Sequence, residues 1–280
     1  MAFVLWERAR ARAGKNVLLD LNLFRIASFR NGSIAALIIS MGEFGILFAI
    51  PLWLQNVLEL SPISSGLVLL WLAGGAFVAS GVGGALSGKL PPARAVQIGV
   101  LLELVGVAGI ALLASQQSGW GLIAPFLFIY GIGIGLATAQ LTGVIMVDVP
   151  MEKAGQGSGS QSTVRQIGSA LGIAVLGTLL FTGTQTSLED RLAESALSDT
   201  QIQFIVPAVV DSAGAAIPQL QDALSAQGVP AEDASEIRIA AGDAFTDGAK
   251  LAAWAAAGFL LLGLLSSLNL GRAKNKTEAS

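Results

Sequence analysis

Six long apolar runs organise the chain: Ser33–Val57, Ser65–Gly88, Ala95–Ala114, Trp120–Val147, Gln166–Gly183 and Leu251–Leu270. Each approaches the ~20 apolar residues that carry an α-helix across a bilayer core. The pattern therefore predicts an all-α polytopic membrane protein with six transmembrane helices. The gaps between runs one and two, and three and four, are only a few residues long, which makes successive helices antiparallel neighbours.

Charge sharpens this picture. Arg8, Arg10, Arg12, Lys15, Arg25 and Arg30 precede the first run, and Lys89 and Arg94 follow the second. Lys153 and Arg165 follow the fourth, and Arg272, Lys274 and Lys276 the sixth. The intervening gaps lack Lys and Arg, except that the last holds Arg191, Arg238 and Lys250. Positive charge marks the cytoplasmic side, so both termini are expected there, in a multi-pass protein of the cell inner (plasma) membrane.

On this reading residues 1–32 are a cytoplasmic basic lead-in, 33–183 spans one to five, 184–250 an acidic outer loop, 251–270 span six, and 271–280 a cytoplasmic tail. The lead-in mixes Arg with spaced Leu and Phe, which suits either an interfacial helix or a basic flank that sets topology. Met1–Trp6 is too brief for a secretory signal. The loop carries eleven Asp and Glu residues against Arg191, Arg238 and Lys250. Leu188, Leu192 and Leu197 recur near helical spacing, predicting one or two short amphipathic helices broken by Pro207, Pro218 and Pro230. A solvated cap is the plainer reading of the loop, and a substrate-gating lid the sharper one.

Composition excludes several classes of chemistry. Hydrophobic residues make up 53% and charged residues 12%, where soluble domains carry about a quarter charged. Without cysteine there is no disulfide or thiolate metal site. Without histidine, proton handling falls to carboxylates. No hydrolytic triad, metal cluster or phosphate loop is visible, so no enzyme, no cofactor, no metal and no nucleic-acid partner is expected.

Glycine is abundant, at 34 residues, and in lipid small residues let helix backbones approach closely. Gly84 with Gly88 and Gly168 with Gly172 form small-xxx-small pairs, candidate helix-packing sites. The run Gly131, Gly133, Gly135 lacks the strand and spacing of a nucleotide-binding loop and reads as a packing surface.

Two carboxylates fall inside spans, Glu43 in the first and Glu103 in the third. An ionised acid at the bilayer centre costs roughly 2.5–3.5 kcal/mol, so it is tolerated where it faces protein or water, or carries a proton. Glu43 shares a polar sector with Ser33 and Ser40 and is the stronger candidate for binding a proton or cationic substrate. Glu103 lies between Gly99 and Gly106 and is read chiefly as facing a neighbouring helix. Tyr130, Thr138, Gln140 and Thr142 give span four a polar side suited to a cavity, and Tyr130 and Gln140 join the candidate binding residues. Arg165 and Gln166 open the fifth span. Arg165 is either a topology-setting residue or an inner gate paired with Asp148 or Glu152.

Several strings carry a family resemblance: LLDLNLFRIASF, PLWLQNVLELSPISSGLVLL, PMEKAGQGSGSQSTVRQIGSALGIAVLGT and AFTDGAKLAAWAAAGFLLLG. Together they make the chain similar to the C-terminal half of a major facilitator superfamily transporter, of the fourteen-span drug:proton antiporter family. Ser158, Gly159, Arg165, Gln166, Gly168, Gly172 and Gly177 stand at matching positions, as do Asp247 and Gly248. The resemblance implies a half bundle of six helices that exports amphipathic or cationic compounds in exchange for protons. Three departures stand out. The segment SGKLPPARAVQIG keeps Lys89 and Arg94 but lacks the family's Asp. Glu59 replaces a common Gly, and MAFVLW looks like the cut end of a preceding helix. Transport of this kind needs two bundles around a site at their interface, so the expected partners are lipid, an N-terminal half or a second copy of the chain, amphipathic substrate and protons. An inactive remnant or regulatory membrane subunit, and a carrier of one specific metabolite, are the alternatives.

Overall fold

The computed structural model describes residues 21–86, 90–117, 119–193 and 197–268. Among these are eight α-helices: α1 Ala27–Asn56, α2 Pro62–Leu86, α3 Pro92–Leu113, α4 Ala124–Met146, α5 Ala154–Ala193, α6 Asp199–Asp211, α7 Leu220–Ala226 and α8 Ala231–Ser267. Six of them, α1 to α5 and α8, are long and apolar enough to cross a membrane. They run alternately up and down between a terminal end, where α1 begins and α8 stops, and a loop end, which holds α6 and α7.

The helices outrun the apolar stretches that announce them. α5 begins at Ala154 and spans 40 residues, and α8 begins at Ala231 and spans 37. At 1.5 Å per residue they are about 60 and 55 Å long, roughly twice the thickness of the hydrocarbon core. The start of α5, AGQGSGSQ, has no apolar run. It stays helical because it packs on α4: Gln161 donates to the Thr142 hydroxyl at 3.0 Å, and Gly157 faces the Met146 thioether. The start of α8 is amphipathic, burying Ala234, Ile237, Ala241, Ala244 and Phe245 at helical spacing.

Residues 184–250 are accordingly more helical than their polarity suggests. The stretch to Ala193 continues α5, burying Leu188 and Leu192, and the stretch from Ala231 belongs to α8. Between them α6 starts from a capping box, in which Ser198 and Gln201 satisfy each other's backbone donors. Pro207 lies inside α6 rather than ending it, Pro218 sits in the 3-10 turn before α7, and Pro230 caps α8.

α1 packs on α5 and α8, α4 lies between α2 and α3, and α8 also covers α3. Glycine sets the closest approaches. A Cβ at Gly168 would collide with the Leu37 carbonyl and one at Gly172 with the Met41 carbonyl, so α1 and α5 touch backbone to backbone over a full turn. In α4 the glycines divide between two neighbours. Gly131 and Gly135 face Leu72 and Ala76 of α2, whereas Gly133 faces Gly99 and Glu103 of α3. Gly88 lies outside the described residues, so its pairing with Gly84 is not placed.

The loop end is laced by polar contacts. The Trp53 indole donates to the Thr246 hydroxyl at 3.0 Å, and Gln116 donates to the Ile239 carbonyl at 2.8 Å and to Asp243 at 3.0 Å. Arg191 pairs with Asp247 at 2.9 Å and Asp243 at 3.8 Å.

Glu59 has φ 54°, a left-handed conformation costing a residue with a Cβ about 1–2 kcal/mol. A glycine would adopt it without that cost. The Glu59 carboxylate pairs with Arg238 at 2.8 Å, half-exposed, a contact of roughly 0–1 kcal/mol. Glu59→Gly is therefore expected to keep or slightly raise the unfolding temperature in detergent. Glu59→Ala, which keeps the strain and loses the pair, is expected to lower it. A Glu59→Gly variant clearly less stable than Glu59→Ala would contradict the strain account.

Candidate functional site

Helical spacing places Ser33, Ser40 and Glu43 on one side of α1, and all three are buried. Opposite them α5 presents Arg165, which lies 11 residues (165 − 154) into that helix. Its Nη2 stands 3.5 Å from the Glu43 Oε2, and its Nε donates to the Ser40 hydroxyl at 3.4 Å. The pair is lopsided: the Glu43 side chain is 4% exposed and that of Arg165 24%. The carboxylate is sealed in the bundle while the guanidinium reaches outward.

Two further groups close the site from behind. Tyr130 of α4 is fully buried, and its hydroxyl donates to the Glu43 backbone carbonyl at 3.1 Å. Glu103 of α3 is also fully buried, and neither of its carboxyl oxygens has a hydrogen-bond partner among the described residues. It lies within electrostatic reach of Glu43, Arg165 and Tyr130. Its Cγ lies 2.7 Å from where a Cβ on Gly133 would stand, so glycine there makes room for the acid. Four helices thus bring Glu43, Glu103, Tyr130 and Arg165 together near the middle of the bundle.

In front of Arg165 a groove of about 480 Å³ runs toward the terminal end, lined by Phe44, Thr142, Ser158, Gln161, Ser162, Arg165, Gln166 and Ser169. Ser158, Ser162, Arg165 and Ser169 fall at helical spacing, a polar stripe along α5 about 16 Å long. Ser169 donates to the Arg165 carbonyl at 2.9 Å. A larger hollow of about 730 Å³ lies at the loop end beside Arg191, Asp233 and Glu236, remote from the buried cluster.

The sequence-predicted residues are thus only partly reunited. Arg165 bonds to Glu43 and Ser40 rather than to Asp148 or Glu152, both of which are exposed where α4 joins α5. It does so because α5 starts well before Gln166, which carries Arg165 about three turns into the helix. Gln166 lines the groove, whereas Gln140 is half-buried on α4 and not among the lining residues. Glu103 does face a neighbouring helix, and in doing so joins the cluster. Sequence reading missed the Glu43–Arg165 pair and the parts played by Phe44 and Ser169. The polar spacing along α5 was the available signal for Ser169.

Six helices long and apolar enough to cross a membrane, with Glu43, Glu103, Tyr130 and Arg165 gathered between them, are those of a multi-pass membrane protein. The chain belongs to the Major Facilitator Superfamily, whose family model matches residues 2–173. Its relatives include drug efflux proteins. It is 30% identical over 197 residues to the tetracenomycin C resistance and export protein of Streptomyces glaucescens, covering 70% of this chain and 36% of that protein. It is 29% identical over 212 residues to the multidrug resistance protein Stp of Mycobacterium tuberculosis, covering 76% and 38%. With the drug efflux pump JefA of the same species it shares 30% identity over 242 residues, covering 86% and 47%. The chain therefore spans between about a third and a half of the length of these relatives.

Proposed function

We propose that this chain acts as the C-terminal half of a proton-coupled efflux transporter for amphipathic compounds. It works against an N-terminal half or a second copy of itself, in the inner membrane, with both ends on the cytoplasmic side. The observation that carries this reading is the buried Glu43–Arg165 pair, which backs onto an open polar groove at mid-depth.

The chemistry follows from the lopsided burial. Ionised Glu43 holds the guanidinium against α1, and Ser40 fixes its Nε. A proton on Glu43 removes the charge attraction and leaves the guanidinium free to turn into the groove. Glu103, buried without a hydrogen-bond partner among the described residues, would be costly as an anion and serves as the second proton-holding group. Tyr130 anchors the α1 backbone at Glu43. Because Arg165 and Glu43 sit on different helices, making and breaking their pair biases how α5 lies against α1. α5 brings Gly168 and Gly172 to the same interface, against the α1 backbone at Leu37 and Met41. The distribution of Lys and Arg supports the orientation.

The test is efflux of a neutral fluorescent dye, Nile red, from cells lacking their main pumps. The cells express the chain alone or with an N-terminal half from a relative, with and without a protonophore. Protonophore-sensitive efflux is expected with the partner, and Glu43→Gln is expected to reduce it at least tenfold. A Glu43→Gln protein that exchanges at the parent rate would overturn the site assignment. Absence of efflux in either arrangement, despite membrane insertion, would favour a subunit that transports nothing.

A further inference from the structure

None of the described residues that line the groove is an acid. Its polar surface is made of the Thr142, Ser158, Ser162 and Ser169 hydroxyls, the Gln161 and Gln166 amides and the Arg165 guanidinium, with Phe44 as the aromatic element. The nearest carboxylate, Glu43, stands behind Arg165 and is 4% exposed. Anything in the groove therefore meets the cation first, and the acid only through it.

This arrangement selects by charge. A cationic compound would approach a guanidinium with no lining carboxylate to offset the repulsion. An anionic oxygen group meets the opposite situation. Arg165 uses one N–H on Glu43 and one on Ser40, both at the long end of hydrogen-bond range, and its remaining donors suit a planar oxygen pair. The Ser158 and Ser162 hydroxyls and the Gln166 amide can serve further oxygens along the stripe, whereas the Ser169 proton is already given to the Arg165 carbonyl. Phe44 is 38% exposed and presents a ring for edge or face contact with a flat aromatic body. The 480 Å³ of space falls within the roughly 300–1,000 Å³ typical of small-molecule sites.

We propose that the groove binds planar aromatic compounds bearing an anionic oxygen group (a carboxylate, sulfonate or phenolate) through Arg165 and Phe44, and discriminates against cationic amphipaths. This rests on the groove being the substrate site of the transporter proposed above, and it narrows that reading to one charge class. Glu43 then takes no direct part in substrate contact. Its state instead governs how firmly Arg165 is held back from the substrate.

The experiment measures binding without transport. The full chain in lipid nanodiscs is titrated with alizarin red S, a flat anthraquinone sulfonate, and separately with ethidium, a flat cation, by equilibrium dialysis. Alizarin red S is expected to bind at least tenfold more tightly than ethidium. Arg165→Gln should remove most of that preference and Arg165→Lys should restore part of it. Phe44→Ala, which leaves the ion pair intact, should weaken alizarin red S several-fold. Equal or tighter binding of ethidium would overturn the proposal, as would binding of neither probe to a chain that remains helical and monodisperse. An Arg165→Gln variant that keeps the anion preference would overturn it too. Because no gradient is involved, anion binding without efflux would sink only the transport reading, whereas protonophore-sensitive ethidium efflux would sink only the charge preference.

Discussion

Gly172→Val is expected to cost the bundle more than about 3 kcal/mol, enough to remove most folded protein from the membrane. The Cβ would enter space held by the Met41 backbone, with the carbonyl, Cα and carbonyl carbon all in contact. Overpacking against side chains typically costs about 1–3 kcal/mol because rotamers can shift. A backbone cannot shift without moving the whole helix. One turn earlier Gly168 meets the Leu37 backbone in the same way, so α1 and α5 cannot part at one point and stay closed at the other. Gly159→Ala is the matched control: it lies on the same helix with nothing within 4 Å of its added Cβ, and it is expected to be neutral or mildly stabilising. Monodispersity in detergent and resistance to thermal unfolding separate the two. Equal behaviour of Gly172→Val and Gly159→Ala would mean that the α1–α5 contact does not hold the bundle together.

Arg165→Ala is the second large effect. It strands the Glu43 carboxylate, 4% exposed, with no other cation paired to it among the described residues, and breaking a buried pair from one side typically costs about 3–5 kcal/mol. Glu43→Gln is expected to be milder. It leaves a guanidinium that is 24% exposed, can reach the groove, and keeps Ser40 as a partner. The double variant should recover much of the Arg165→Ala loss, because no unpaired charge then remains. Unfolding of all four proteins in one detergent gives the coupling directly. Purely additive losses would show that the two groups do not form a working pair.

The spans were legible because crossing a bilayer needs an unbroken apolar stretch, and six were present. The ends of the helices were not. The polar stretch before Arg165 does not announce a helix, but α4 packs on it, Thr142 on Gln161 and Met146 on Gly157, and keeps it helical. Missing this helix start displaced Arg165. Placed at the membrane edge it should meet Asp148 or Glu152, whereas three turns inside α5 it meets Glu43. Those two residues lie 122 positions apart, and nothing local in either segment encodes their meeting. Glu43 itself was legible, because Ser33 and Ser40 mark its side of α1. Glu103 was visible as an intramembrane acid flanked by glycines. That it shares a site with Glu43 depends on Gly133 admitting its side chain, a contact between helices. The resemblance located Arg165 and the glycines after it as distinctive positions without saying what they touch.

One feature of α5 reaches beyond the site. It is a single helix from Ala154 to Ala193, continuous past Arg165 and on to Arg191, which is tied to Asp243 and Asp247 of α8. From Arg165 to Ala193 is about 42 Å. A tilt of α5 by about 10° at the ion pair would swing its far end through about 7 Å. Because α8 is clasped to that end, it would be carried along. The helix is a lever arm, turning a small rearrangement around one guanidinium into a displacement at the opposite end of the molecule, large enough to follow between two spin labels.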